Sequence, residues 1–417
     1  MTAPQRPALL SLDEALARLL AFATPALNPE SVPVGDADGR VLAQNVVSSL
    51  HVPPYDNSNM DGYAVRCADV VASGVHLAVS QRIPAGSVGV PLQAGTVARI
   101  FTGAPVPEGA DAVVMQEDCQ ALPPADGADA LARVQINAQP IPGQNIRRAG
   151  EDVARGDIVL PRGQRLGPAE LGLAASIGMA SLHVARRPRV ALFSTGDELV
   201  MPGTVAPQDM PPGAIYNSNR FFLRTLLRRM GCVVSDLGIV PDQRDATVQA
   251  LLEAAQSHDV ILTSGGVSVG EEDHIKPAVQ ALGTLDLWQI AIKPGKPFAH
   301  GRIGEAHFIG LPGNPVSSFV TFLILVRPFL LQLQGARDIA MTTVAARADF
   351  AWPKADRRRE FLRVRRNAEG GLDLFPNQSS AVLTSTVWAD GLVDNPPDCT
   401  IAPGDTVRFV PFPQVMS

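Results

Sequence analysis

The run Thr263-Ser264-Gly265-Gly266-Val267-Ser268-Val269-Gly270 leads straight into Glu271, Glu272 and Asp273. It follows the apolar residues Val260 to Leu262, which read as a short buried strand, and opens a segment that reads as a helix start. Strand, glycine-rich turn and helix start together make an anion cradle, because free backbone N–H groups point outward there. The candidate anion contacts are Ser264, Gly265, Gly266 and Ser268. Acids beside such a cradle make sense when a divalent cation bridges carboxylate to phosphate, and Mg²⁺ takes one or two protein carboxylates plus phosphate oxygens. Glu271 and Glu272 read as first-turn acids favoured by the helix dipole; for Asp273 the dipole and the metal account stand side by side.

Other strand ends carry related chemistry. Asp197 and Glu198 follow the strand-like "RVALFS"; Lys293 and Lys296, clamped by prolines in "KPGKPF", could position charge for phosphate. Pro312, Gly313 and Asn314 precede a long apolar helix whose N-terminus is a further anion site. Each of these also reads as an ordinary surface turn. Several familiar motifs come close and fail. Gly265 to Gly270 has the Walker A spacing without its lysine. "GVSVG" matches a nucleophile elbow at Ser268, with His300 and His307 downstream, but three following acids oppose an oxyanion, so a serine hydrolase is a remote alternative. The N-terminal half holds "PPYDNSNMDGYAV", "FTGAPVPEGADAVVMQED" and "NIRRAGEDV", each open to a turn-stabilising or a ligand role.

These residues need elements to position them. From about 181 onward, strands alternate with helices, which predicts an open, mostly parallel α/β sheet with ligands at the carboxyl ends of its strands. Residues 51–142 carry short strands at spacings near ten residues, an all-β pattern, and the chain is β again from about 335. There "REFLRVRR" alternates and predicts a strand with one wet face. Ser11 and Glu14 have capping-box spacing ahead of an amphipathic N-terminal helix that is no signal peptide. The most apolar run, Phe319 to Val326, is too short to span a bilayer. The 417 residues suggest roughly three domains. A net charge of −6 excludes a global basic field for nucleic acid. Cys67, Cys119, Cys232 and Cys399 lie far apart and read as reduced thiols of a cytosolic protein.

In order along the chain, "NSNMDGYAV", "TGAPVPEGADAVV", "NIRRAGEDV", "STGDEL", "LTSGGVSVGEEDH", "AIKPGKPFA" and "GLPGNPVSS" resemble the MoeA/gephyrin family, the molybdopterin molybdenumtransferases. The resemblance implies a multidomain α/β plus β fold. Its parts would be an N-terminal helix on the α/β domain (1–24), an elongated linker domain (25–50 and 143–180), an inserted β domain (51–142), a central α/β molybdopterin-binding domain (181–334) and a C-terminal β-barrel-like domain (335–417). It implies a cytoplasmic homodimer with a cleft shared between subunits. The reaction would convert adenylyl-molybdopterin and molybdate into molybdenum cofactor and AMP, with Mg²⁺ assisting cleavage of the pyrophosphate link. Carried over position by position, the functional residues are Asp61, Thr102, Arg147, Asp152, Glu198, Asp273, Lys293 and Lys296, with Ser380 as a C-terminal counterpart. Glu198 and Asp273 would be metal ligands. Asn217 departs from the Asp often found there, which puts one metal contact in doubt. A molybdopterin adenylyltransferase and molybdoenzyme maturation proteins are implied as partners. Neither nucleic acid nor a membrane is expected, and a tungstate-preferring or non-catalytic scaffold paralogue is the alternative.

Overall fold

The structure is a computed structural model that describes residues 9–24, 27–123, 132–241, 243–266 and 274–416. The first helix, α1 (Leu12–Phe22), is closed at its N-terminus by the capping box that its sequence predicts: the Glu14 N–H donates to Ser11 Oγ and the Ser11 N–H to Glu14 Oε2. Leu12, Ala15 and Leu19 are buried in the core of the α/β unit.

In the linker region, Pro29–Pro33 pairs with Ser181–Ala185, and Val46–Val47 with Ile158–Leu160. Leu42, Leu160, Leu166, Leu182 and Val184 form their own core there. Ser181–Ala185 thus pairs into the linker, although the sequence reading starts the α/β unit at 181. The inserted unit is a six-stranded sheet, antiparallel but for the pair Val75–Ile83 and Thr96–Ile100. Gly62 opens its strand Gly62–Val65 where a Cβ would stand 1.9 Å from the Val114 carbonyl oxygen. Only glycine permits that approach, and it seats the adjacent Asp61 at the start of that strand.

The α/β unit contains β1 (Arg189–Thr195), α2 (Asn219–Arg229), β2 (Val233–Val240), α3 (Arg244–Ser257), β3 (Val260–Ser264), α4 (Ile275–Leu282), β4 (Gly283–Gln289), β5 (Pro297–Ile303), β6 (Ala306–Leu311) and α5 (Pro315–Leu333). Sheet order is β2-β1-β3-β6-β5-β4, parallel from β2 through β6 and antiparallel at β5 and β4. Alternate residues serve opposite faces: Val190 and Leu192 join the core with α1, α2 and α5, whereas Ala191 and Phe193 pack against α3 and α4. A sheet covered on both faces needs such unbroken apolar strands, so the run "VALF" could not alternate with polar residues. Helix α5 is apolar enough to cross a bilayer by length and composition, yet 94% of its most apolar window is buried inside the protein. It passes through a π-helical turn at Phe322–Val326, just ahead of Pro328, which has no N–H to give the Ile324 carbonyl.

The C-terminal unit is built on another six-stranded sheet, folded over Phe350, Leu362, Val364, Val393, Ile401 and Phe409. Two findings there differ from the sequence reading. The strand Arg359–Arg366 is buried from Glu360 to Val364 on both sides, with no wet face until Arg365. The segment around Gln378, Ser379 and Ser385 covers Arg363, while Trp352 and Lys293 cover Glu360. Furthermore, Ile292–Lys293 pairs in parallel with Arg359 and Glu360, so the "KPGKPF" turn joins the α/β and C-terminal units.

Candidate active site

The carboxyl ends of β1, β3 and β6 open onto one cleft of about 750 Å³. After β1 it is lined by Thr195, Gly196 and Glu198; after β3 by Ser264, Gly265 and Gly266; after β6 by Pro312, Gly313 and Asn314. Tyr216, Asn217 and Asn219, at the start of α2, close a further side. This is the position where open parallel sheets bind ligands, because neighbouring crossovers diverge there and leave backbone donors facing the gap.

Local sequence explains the shape. Gly265 has φ +97°, and a Cβ would stand 2.9 Å from the Thr195 carbonyl oxygen, so the β1 and β3 loops meet only because glycine is there. Glu198 folds its carboxylate over Gly196, where a Cβ would lie 2.6 Å from Oε2. The carboxylate itself is exposed to the cleft. Asn219 clamps the far walls: its Nδ2 donates to Ser264 Oγ at 2.8 Å and to the Gly313 carbonyl at 2.7 Å. Sequence reasoning passed over Asn219. Its signal was the place it holds at a helix start, two residues beyond Asn217.

Of the residues singled out by sequence, Glu198, Asn217, Ser264, Gly265, Gly266, Pro312, Gly313 and Asn314 share this cleft. Ser380 joins its rim: its carbonyl accepts the Val316 N–H at 2.9 Å, which brings Ala381 onto the cleft. Lys296 is exposed beside the lining residue Pro297. Lys293 points toward the C-terminal unit, where its Nζ lies 2.8 Å from Glu360 Oε1 and 3.4 Å from Asp356 Oδ2. Asn217 is buried, 2% exposed. Its Oδ1 accepts the Arg220 N–H at 3.4 Å and helps hold the first turn of α2. Ser268, Asp273, Glu271 and Glu272 lie outside the described residues.

Asp61, Thr102, Arg147 and Asp152 are not among the lining residues of this cleft. Thr102 donates to Asp61 Oδ1 through its backbone N–H and its hydroxyl, each at 2.8 Å. These bonds, the backbone one foremost, hold the Asp61 carboxyl below its usual range. Arg147 faces Glu151 at 4.0 Å, and Asp152 is exposed.

Elsewhere, Arg363 is a buried guanidinium behind the Ser379–Ser380 turn, with Ser385 Oγ and the carbonyls of Phe361 and Ser379 as its hydrogen-bond acceptors. Burial lowers its pKa to about 10. His300 and His307 are packed in the core, not presented to a serine: His300 stacks on Phe22 at 4.5 Å and His307 meets Phe329 edge-on at 5.0 Å. Burial pushes them down to about 3 and about 4. All four cysteines are free, and burial pushes Cys67, Cys119 and Cys232 up to about 12. Among the described residues, no three His, Cys, Asp or Glu side chains gather as a metal cage.

A doubly covered, mostly parallel sheet with glycine-rich and helix-N-terminal loops around a cleft that holds the Glu198 carboxylate defines a class: a multidomain α/β protein with a ligand cleft at its strand ends. Comparison with known proteins narrows it. Residues 10–178 match the MoeA N-terminal region (domains I and II), residues 191–332 a probable molybdopterin binding domain, and residues 345–412 the MoeA C-terminal region (domain IV). A molybdopterin molybdenumtransferase of Haemophilus influenzae is 43% identical over 79% of this chain and 79% of its own. Molybdopterin molybdenumtransferase 2 of Mycobacterium tuberculosis is 37% identical over 91% of this chain and 94% of its own. A molybdopterin biosynthesis MoeA protein from Pyrococcus horikoshii superposes with a TM-score of 0.83 at 27% identity, covering 97% of this chain and 100% of that one. The chain belongs to the MoeA family of molybdenum cofactor biosynthesis.

Proposed function

We propose that this protein inserts molybdate into adenylyl-molybdopterin, releasing molybdenum cofactor and AMP on cleavage of the pyrophosphate link. The observation that carries this reading is the convergence of the β1, β3 and β6 loops on one cleft that pairs anion-cradling turns with the exposed carboxylate of Glu198. The loop N–H groups at Gly266 and Gly313 orient the substrate's phosphates, and the helix start at Asn314 adds its dipole; the Gly265 N–H is spent on the Leu311 carbonyl at 3.1 Å. Lys296 supplies positive charge at the rim. Lys293 is held by Glu360 and Asp356 on the side of the C-terminal unit.

The exposed carboxylate of Glu198 suits Mg²⁺, which takes few protein ligands and fills its shell with phosphate and water oxygens. Glu198, with Asp273, would hold it. Bound there, the ion would neutralise charge on the phosphates.

Asp61, Thr102, Arg147 and Asp152 belong to the same reaction in this reading, reached from the partner subunit of a homodimer. None of the four is among the lining residues of the cleft within one chain, which favours that arrangement. Incubating the protein with adenylyl-molybdopterin, Mg²⁺ and either molybdate or tungstate, and following AMP release, tests the activity. AMP release that rises with molybdate is expected. No release with either oxyanion would sink the reading, and release with tungstate alone would change the substrate.

A further inference from the structure

A second cleft, of about 1430 Å³, lies where the linker, α/β and C-terminal units meet. Five arginines from four stretches of chain line it: Arg165 from the linker, Arg187 before β1, Arg228 and Arg229 at the end of α2, and Arg366 at the end of the strand Arg359–Arg366. That is a local reversal of sign in a chain of net charge −6. Three acids share the cleft with the five arginines: Asp38 is exposed and its charge acts on Arg165, and the other two are already engaged. Glu170 accepts the Gly167 N–H at 3.0 Å, and Asp390 accepts the Arg366 N–H at 2.9 Å. Arg187 donates to the Gly231 carbonyl. Among the described residues, the guanidinium groups of Arg228, Arg229 and Arg366 have no carboxylate partner; Arg366 instead lies over the Phe409 ring, 5.3 Å from its centroid.

The other wall is apolar, with Pro411, Phe412 and Met416, and it runs on past Val387, which is 84% exposed. Isolated arginines at a helix end are ordinary, since they answer the helix dipole. Here, however, three units bring them to one concavity with an apolar side. A lone phosphate ion would leave most of that volume, and all of the apolar wall, unused. Arginines beside exposed apolar side chains fit a peptide that carries carboxylates next to a large apolar residue.

We propose that this cleft is a docking site for an acidic segment of a partner protein, separate from the site of AMP release. The test uses the full-length protein and a fluorescein-labelled twelve-residue peptide of alternating Glu, Leu and Phe, read by fluorescence anisotropy. Binding is expected to weaken about tenfold or more in the double variant Arg228→Glu/Arg229→Glu and to fall as salt rises. A lysine-for-glutamate version of the peptide should not bind. AMP release by the variant should stay at the wild-type level, because neither arginine touches the β1–β3–β6 cleft. Absence of peptide binding, binding indifferent to the double reversal, or full displacement by millimolar inorganic phosphate would each overturn the proposal, the last in favour of a small-anion site. If the reversal instead changes the mass by light scattering, the face is an interface between copies of this chain and the docking proposal falls.

Discussion

Glu198 and Asn219 show how differently two cleft residues can work. The Glu198 carboxylate is exposed and, among the described residues, without hydrogen bond or ion pair, so it contributes little to folding. Glu198→Gln is expected to leave thermal melting unchanged and to lower AMP release by about 10²-fold or more, the scale of losing one preorganised electrostatic contact. A variant that melts normally yet keeps wild-type turnover would remove Glu198 from the chemistry. Asn219 is the reverse case. One amide nitrogen bridges Ser264 Oγ and the Gly313 carbonyl, so Asn219→Ala strands a buried carbonyl. Urea unfolding should show a loss of about 1–3 kcal/mol. Turnover should fall as well, because the β3 and β6 loops lose the tie that sets their spacing; unaltered stability would mean that the bridge is not formed.

At the scale of elements, the antiparallel pair β5–β6 carries a pH dependence unrelated to catalysis. His300 Nε2 and His307 Nδ1 lie 3.4 Å apart between α1 and α5, with Arg302 Nη1 3.5 Å from His307 Nε2 and Asp259 the acid that pulls the other way. Burial, joined by the repulsion of Arg302, keeps both rings neutral, with pKa values of about 3 and about 4 against 6.5 for a free histidine. The folded pKa values are depressed, so the unfolded chain takes up protons first as pH falls. Stability from the neutral pair is complete above pH ~6.5 and drains away as pH drops toward 4. At pH 5 the loss should reach about 2 kcal/mol for each ring, read as a shift in the urea midpoint relative to pH 7. His300→Leu should flatten the part of that slope due to its ring; an unchanged slope would place the titration elsewhere.

The whole molecule poses the question of the four N-terminal residues. Asp61 and Glu198 stand in different units of one chain, and a shared site in a homodimer would reunite them. Subunit complementation tests this directly. Asp61→Asn and Glu198→Gln chains, each inactive alone, should recover roughly a quarter of wild-type AMP release after mixing and reassembly, since half the dimers would be mixed and each would hold one intact site. No recovery in mixtures shown by mass to contain mixed dimers would place both residues in one subunit's site.

Much of this protein is determined by local sequence. Strand–helix alternation, the capping box of Ser11 and Glu14, and the apolar run of β1 follow from short-range periodicity and steric preference, so they could be read without coordinates. The same holds for the glycine turn after β3 and the helix start after β6, since glycine and helix starts have fixed backbone consequences. What the tertiary structure decided depends on neighbours distant in sequence. Arg359–Arg366 alternates like a half-exposed strand, yet residues 378–385 and Trp352 cover its polar side. Lys293 follows a strand of the α/β unit but pairs with Glu360, 67 residues away. Asn217 is buried, while Asn219, whose only signal in sequence was its place at a helix start, ties two loops together. The convergence of arginines from three units on one cleft was equally invisible, because each belongs to a different stretch of chain. Periodicity reports the environment along an element; which side chains meet across elements is settled only when the elements pack.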